Sequence, residues 1–379
     1  MSIYVAFLIV LFNMLSFRGS KILISLFAIE LGAAQFFIGV LVATYSIFPM
    51  LLAIYAGKLS DRLGVRMPMF CGSLGMAAGL LFPFLYPQMP ALYVSAALLG
   101  GAHVFYNVSV QNLIGSLSGP DDRTRNFSNY SLVMAVGSFI GPLVAGVSID
   151  LAGYARTYLY LAFVPLFSIV LIARARGLRG PRPAAHAAGE HVAQGKGLLT
   201  SAPLRRTLIT SAVILTGIDL FQFYMPIYGH HVGLSASAIG LVLSMFAAAS
   251  FVIRIALPRM VKAWGEERLL SWSLFMGAAT YVLFPFFDTL LALAAVAFGL
   301  GLSLGLGQPL SLMLIYASSP SARTGEALGL RMSINNLTHI VVPVVFGALG
   351  TALGVAPVFV ANALMLAGGG ALTRRSLKT

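Results

Sequence analysis

Few side chains inside the apolar stretches of this sequence can hold a charged ligand or move a proton, and their spacing is informative. Arg18 and Lys21 stand one helical turn apart in NMLSFRGSKILISLF, Asn13 to Phe27, and Asp219 is the lone carboxylate deep inside another such stretch. A charge in hydrocarbon costs at least about 2.5 to 3.5 kcal/mol on insertion scales, so each is a functional candidate by default. Arg and Lys give charge-assisted hydrogen bonds to carboxylate or phosphate, and a carboxylate balanced between desolvation and a nearby cation can change protonation as its surroundings change. Two polar sets follow helical spacing at i, i+4 and i+8: His103, Asn107 and Gln111, and Arg331, Asn335 and His339, with Asn336 beside the second. In lipid such stripes must face protein or water. Tyr45, Gln222, Gln308 beside Pro309, and Arg254 complete the set of polar candidates.

The elements that must carry these residues follow from composition. Of 379 residues, 59% are hydrophobic and 9% charged, far from a soluble domain's balance. About 20 apolar residues cross a bilayer core as a helix. The sequence offers twelve such segments, at 3–29, 36–56, 67–86, 91–117, 126–149, 154–173, 207–228, 235–257, 269–287, 289–316, 326–351 and 355–373. The first has no basic leader before it and reads as a helix, not a cleaved signal. The fold expected is an all-α membrane protein of twelve transmembrane helices. The net charge of +13 is not spread evenly: Lys and Arg gather after the even-numbered segments, as at Lys58, Arg62, Arg66, Arg123, Arg125, Arg174, Arg259, Lys262, Arg323 and Arg374. By the positive-inside rule those loops and both termini are cytoplasmic, and the charge reports topology and not a nucleic-acid partner. Cys71 alone cannot form an internal disulfide and is expected to fill segment three, and His230 and His231 lack further ligands at metal-binding spacing. No cofactor, catalytic triad or phosphate loop is expected: GEHVAQGKG has the wrong glycine spacing and no strand before it.

The chain divides into two copies. SGPDDRT, Ser118 to Thr124, recurs as SSPSART, Ser318 to Thr324, 200 residues on; Gly32, Ile38, Gly39 and Gly64 recur as Gly233, Ile239, Gly240 and Gly265, 201 residues on. Parallel repeats of this kind mark one large class of secondary transporter. An Arg-, Pro- and Gly-rich stretch at 174–206 separates a first six-helix bundle, 1–173, from a second, 207–379. GKLSDRLGVR, Gly57 to Arg66, then closely resembles the G-x-L-x-D-R-x-G-x-R loop signature of the major facilitator superfamily, at the place where that family has it. The resemblance covers essentially the whole chain. It implies two pseudo-symmetric six-helix bundles, rocker-switch alternating access, and a conformational role for Gly57, Asp61, Arg62, Gly64 and Arg66. GSFIGPLVAG in segment five resembles the G-x-x-x-G-P-x-x-G-G motif of the family's proton-coupled exporters, with Ala145 for one glycine. This adds Gly137, Gly141, Pro142 and Gly146 as a flexible contact expected to bend against a helix of the other half. Ala97 stands where those exporters commonly carry a buried arginine, so the usual proton-relay residue is missing.

The 201 offset maps Arg18 onto Asp219 and Lys21 onto Gln222. Three readings stay open for the first pair: a structural ion pair, a switch in which Asp219 takes up a proton or a substrate displaces it from Arg18, or an accidental alignment with Lys21 snorkelling outward. Arg254 is expected one turn before the cytoplasmic end of segment eight, as a gate or a snorkelling residue. Arg18, Lys21 and Arg331 against Asp219 leave a surplus of positive charge, which accommodates an anion. The expectation is a monomeric secondary transporter in the bacterial inner membrane, exchanging a small organic anion and protons, with export favoured. An exporter of amphipathic drug-like compounds and a non-transporting membrane sensor are the alternatives.

Overall fold

A computed structural model of the chain describes residues 3–118, 122–175, 201–318 and 324–376. Most of the expected 174–206 linker, and residues 119–121 and 319–323 of the repeated SGPDDRT and SSPSART loops, lie outside them. The described residues form helices α1 (Ile3–Glu30), α2 (Gln35–Leu63), α3 (Arg66–Leu85), α4 (Met89–Leu117), α5 (Arg123–Arg174), α6 (Ala202–His231), α7 (Ala236–Trp264), α8 (Glu266–Leu283), α9 (Leu290–Leu304), α10 (Gly307–Ser318), α11 (Thr324–Leu353) and α12 (Val355–Ser376). Eleven stretches among the described residues are long and apolar enough to cross a membrane. α5 is one of these, yet its 52 residues would extend about 78 Å at 1.5 Å each, more than twice a bilayer core. Gly153 breaks it with φ 78° and ψ 170°, so α5 makes two passes, segments five and six, and the passes among the described residues number twelve. Segment ten is the converse: α9 and α10 are one apolar stretch, Leu290–Ser318, interrupted at Gly305 and Leu306. Segments seven, eight, nine, eleven and twelve are α6, α7, α8, α11 and α12.

The helices sort into two units. The first holds Met1–Ala33, Leu41–Ala187 and Ser235–Ser244, and the second Ala34–Val40, Ala188–Leu234 and Met245–Thr379. Each sequence half thus lends the first turns of one helix, α2 or α7, to the other unit.

In the first unit α1 lies along α5 and touches α3 and α4, while α3 packs on α4 and α5. Ala6, Ile9, Val10, Met69, Val110 and Ile114 form its core. Small residues let backbones close: a Cβ on Gly100 of α4 would stand 2.5 Å from the Tyr45 carbonyl oxygen of α2. In the second unit α6 packs on α10, α11 and α12, and α8 on α9 and α12. An aromatic cluster of Tyr228, Tyr281, Phe284 and Phe359 fills one end, where the Tyr228 hydroxyl donates to the Phe284 and Phe287 carbonyls and fixes the one-turn 3-10 helix Phe284–Phe286 after α8.

The internal repeat is written into the backbone. All six glycines with positive φ among the described residues fall in three pairs 201 apart: Gly32 and Gly233, Gly64 and Gly265, Gly153 and Gly354. The Gly100 contact recurs as Gly301 against the Phe246 carbonyl, at 2.4 Å and with both residues shifted by 201. Gly100→Ala should cost about 1 to 3 kcal/mol by overpacking, read as a lower midpoint in a detergent melt. Gly329→Ala, where an added Cβ meets nothing within 4 Å, should leave the midpoint unchanged or raise it.

Candidate functional site

In the first unit the polar candidates gather around one ring. Phe17 of α1 stacks on His103 of α4, centroids 3.7 Å apart and planes 7° off parallel, and meets Tyr45 of α2 edge-on at 5.8 Å. Lys21, one turn beyond Phe17, puts its Nζ 5.5 Å from the Phe17 centroid and 5.9 Å from that of Tyr45. Ring quadrupoles therefore face this ammonium. Tyr45 is buried, and its hydroxyl donates to Ser20 Oγ at 3.2 Å. Arg18 is half-buried where α1 crosses α5, with its Cβ in contact with Gly141, and both Arg18 and Lys21 lie within electrostatic reach of the His103 ring. His103 Nδ1 is buried with no hydrogen-bond partner among the described residues. Along the same stripe Asn107 Oδ1 accepts from the Tyr130 hydroxyl of α5 at 3.0 Å, while Gln111 is exposed.

In the second unit α6 and α11 run parallel and in register. Arg331 Nε donates to Ser211 Oγ at 3.2 Å, and His339 Nδ1 meets Asp219 Oδ2 at 2.5 Å. Both rungs join residues 120 apart, and they are eight residues, about 12 Å, from each other along each helix. Arg331 Nη2 also donates to Gln308 Oε1 at 2.6 Å, to the Gln308 carbonyl at 3.4 Å and to Ser311 Oγ at 3.3 Å. Gln308 is the second residue of α10, just past the interruption in segment ten. Four residues past Gly305 stands Pro309, which has no N–H, so the Gly305 carbonyl lacks a ladder donor, and Arg254 Nε of α7 donates to it at 3.0 Å. Asn335 and Asn336 are half-buried between the two rungs of α11, with Asn335 Oδ1 buried and without a hydrogen-bond partner among the described residues. Gln222 is half-buried one turn beyond Asp219.

Several expectations are corrected. Arg254 is not one turn from a helix end, because α7 continues to Trp264; its partner is a helix break. Cys71 lies on α3 but is exposed and fills no core. The signature Gly57–Arg66 is not a loop: α2 runs to Leu63, so Gly57, Asp61 and Arg62 are helical and Asp61 stands at a helix C-terminus, its side chain outside those described. Arg62 is exposed, Gly64 turns the chain, and Arg66 Nη2 donates to the Ala173 carbonyl at the end of α5, 2.7 Å away. Gly137 and Gly141 do not meet a helix of the other half. A Cβ on either would strike α1, at Met14 and at Arg18 and Leu15 respectively. Pro142 and Gly146 do meet a helix of the other half, at the start of α7, and within the same motif the Phe139 carbonyl accepts from Ser244 Oγ of α7 at 2.6 Å. Ser211, Ser311, Phe17 and Tyr130 are missing from the sequence reading. Ser211 was within reach of it, since it precedes Asp219 by two turns exactly as Arg331 precedes His339.

Comparison with known proteins fixes the family. A model of the Major Facilitator Superfamily matches residues 6–289 and 207–378. The chain belongs to that superfamily. Within it, the chain is similar to the quinolone resistance protein NorA of Staphylococcus aureus (strain COL), 22% identical over 352 residues that span 89% of this chain and 87% of NorA. A shorter match, 29% over 140 residues and 33% of this chain, is to the efflux pump azaK of Aspergillus niger. Among solved structures the nucleoside transporter NupG superposes with a TM-score of 0.84 over all of both chains at 12% identity. A bacterial homologue of the human lysosomal transporter Spinster gives 0.79 over 100% of this chain and 96% of its own at 13% identity. These neighbours show the fold. The chain is a multi-pass membrane transporter of the superfamily and not an enzyme.

Proposed function

We propose that the chain exports a small organic anion from the bacterial cytoplasm in exchange for protons, by alternating access, with both termini cytoplasmic. The observation that supports this most is Arg331. It is a half-buried guanidinium in an apolar bundle whose partners among the described residues, Ser211, Gln308 and Ser311, are all neutral. An uncompensated cation is costly there, and an anionic cargo is the partner that offsets the cost. In the first unit Arg18, Lys21, His103 and the Phe17 and Tyr45 rings offer a second cationic and aromatic surface, fit for a carboxylate attached to a ring. Asp219 with His339 provides the proton site. Export, and the inner membrane, follow the length-wide similarity to NorA.

That similarity also favours a second reading, a drug exporter indifferent to charge. Counterflow in proteoliposomes separates the two, using labelled aromatic carboxylates of graded size and their neutral amides. The carboxylates should exchange at least about tenfold faster, the worth of roughly 1.4 kcal/mol. Equal rates would move the assignment to the charge-blind exporter, and no exchange with either series would remove transport of both.

A further inference from the structure

At one end of the second unit, where α6 and α8 begin and α10 and α12 end, the helices enclose a cavity of about 330 Å³ that is separate from the residues described above. At about 30 Å³ for each water in the liquid, it has room for about ten non-hydrogen atoms. Two of its lining residues are charged. Arg206 of α6 and Glu267 of α8 are both half-buried, and among the described residues neither makes an ion pair or a side-chain hydrogen bond, with each other or with any third group. The helix dipole accounts for a carboxylate in the first turn of α8, but not for a guanidinium left without a partner in the same cavity. Opposite charges that are half-desolvated and held apart fit a ligand that carries both signs.

The hydroxyls of the lining say what its positive end should be. Thr207 Oγ1 donates to the Pro203 carbonyl at 3.1 Å, Ser318 Oγ to the Leu314 carbonyl at 2.6 Å and Thr373 Oγ1 to the Gly369 carbonyl at 2.9 Å. Thr373 then has no second proton, so across the 3.3 Å between Thr210 Oγ1 and Thr373 Oγ1 it is Thr210 that donates. All four hydroxyl protons are committed within the protein, and the cavity is left with lone pairs. With the Glu267 carboxylate these form a set of acceptors, against which Arg206 is the one donor side chain in the lining. A cation with several N–H donors suits the acceptors, and a compact oxyanion suits the guanidinium.

We propose that this cavity binds a small zwitterion that joins a primary ammonium to a compact oxyanion, the chemistry of phosphoethanolamine. The ammonium lies against Glu267 and the hydroxyl oxygens, and the oxyanion against Arg206. In the topology proposed above the cavity faces the cytoplasm at the ends of the crossing helices, so a free solute and the headgroup of an aminophospholipid can both supply that chemistry.

Isothermal titration of phosphoethanolamine into the full-length protein, in nanodiscs of phosphatidylcholine, tests this. It should bind saturably, and phosphocholine, whose N-methyl groups replace every N–H donor, should bind at least about tenfold more weakly. Glu267→Gln and Arg206→Gln should each weaken phosphoethanolamine by about tenfold. Arg205→Gln makes the same change of charge at an exposed neighbour outside the lining and should shift the Kd by less than about twofold. The phosphocholine contrast uses the native protein, so a variant that folds poorly leaves the test intact. Repeating the titration in nanodiscs that contain phosphatidylethanolamine separates the sources: a headgroup occupant raises the apparent Kd of the free compound, and a free solute binds as before. The proposal is overturned by no saturable binding of phosphoethanolamine in phosphatidylcholine discs, by equal binding of phosphocholine, or by a Kd that Glu267→Gln and Arg206→Gln leave unchanged.

Discussion

Asp219→Asn is expected to abolish proton-driven accumulation of cargo while sparing exchange. Asp219 sits mid-helix in α6 with its side chain 14% exposed, and His339 Nδ1 lies 2.5 Å from its Oδ2. The two groups share one hydrogen bond, and a carboxylate and an imidazole can each carry a proton. Asparagine keeps the shape, and its carbonyl oxygen still accepts from His339, but it cannot carry the proton. In proteoliposomes a pH step of one unit can drive at most about a tenfold concentration ratio for each proton coupled. The native protein should approach that ratio, and the variant should stay near unity while its counterflow at matched pH survives. His339→Gln keeps the carboxylate and should weaken coupling without abolishing it. Accumulation by Asp219→Asn at the native level would place the coupling proton elsewhere.

The dyad also marks where the sequence stops being legible. Hydrocarbon forces every crossing into an apolar run of about 20 residues, so twelve passes are legible in the sequence, including the two that abut at the break at Gly153. The repeat could be read because turns such as Gly32 and Gly233 need positive φ, which keeps glycine at both places. Gly153 and Gly354 obey the same offset, but AGYAR and LGVAP share only one further residue, Ala155 and Ala356, too little to mark a repeat. Side-chain partners were another matter. Helical spacing puts Arg331 and His339 on one stripe of α11 but does not say which helix faces it. Nor does spacing report that segment ten is interrupted at Gly305 and Leu306, that Gln308 just beyond reaches Arg331, or that the Gly305 carbonyl, which Pro309 cannot pair, faces Arg254. Arg254 is expected too near a helix end because apolarity fades at Pro258 and Arg259, whereas α7 continues through Arg259 and Lys262 to Trp264.

Arg331→Ala should weaken binding of an anionic cargo by at least about thirtyfold, since removing one partner of a desolvated charge pair costs about 2 to 5 kcal/mol. The guanidinium joins α6, α10 and α11 at this level, through Ser211, Gln308 and Ser311. Alanine therefore removes both a charge and a brace, and the two must be told apart. Arg331→Lys keeps the charge but not the planar fork that reaches three partners at once, so it should recover part of the affinity and little of the bracing. Thermal melts report the brace, and isothermal titration with an aromatic carboxylate and with its amide reports the charge. The expected pattern is a large loss for the carboxylate, a small one for the amide, and a lysine variant that binds the carboxylate better than alanine does at a similar melting midpoint. Equal losses for carboxylate and amide would make Arg331 a structural residue, and the cationic pocket for cargo would then have to be carried by Arg18 and Lys21 of the first unit alone.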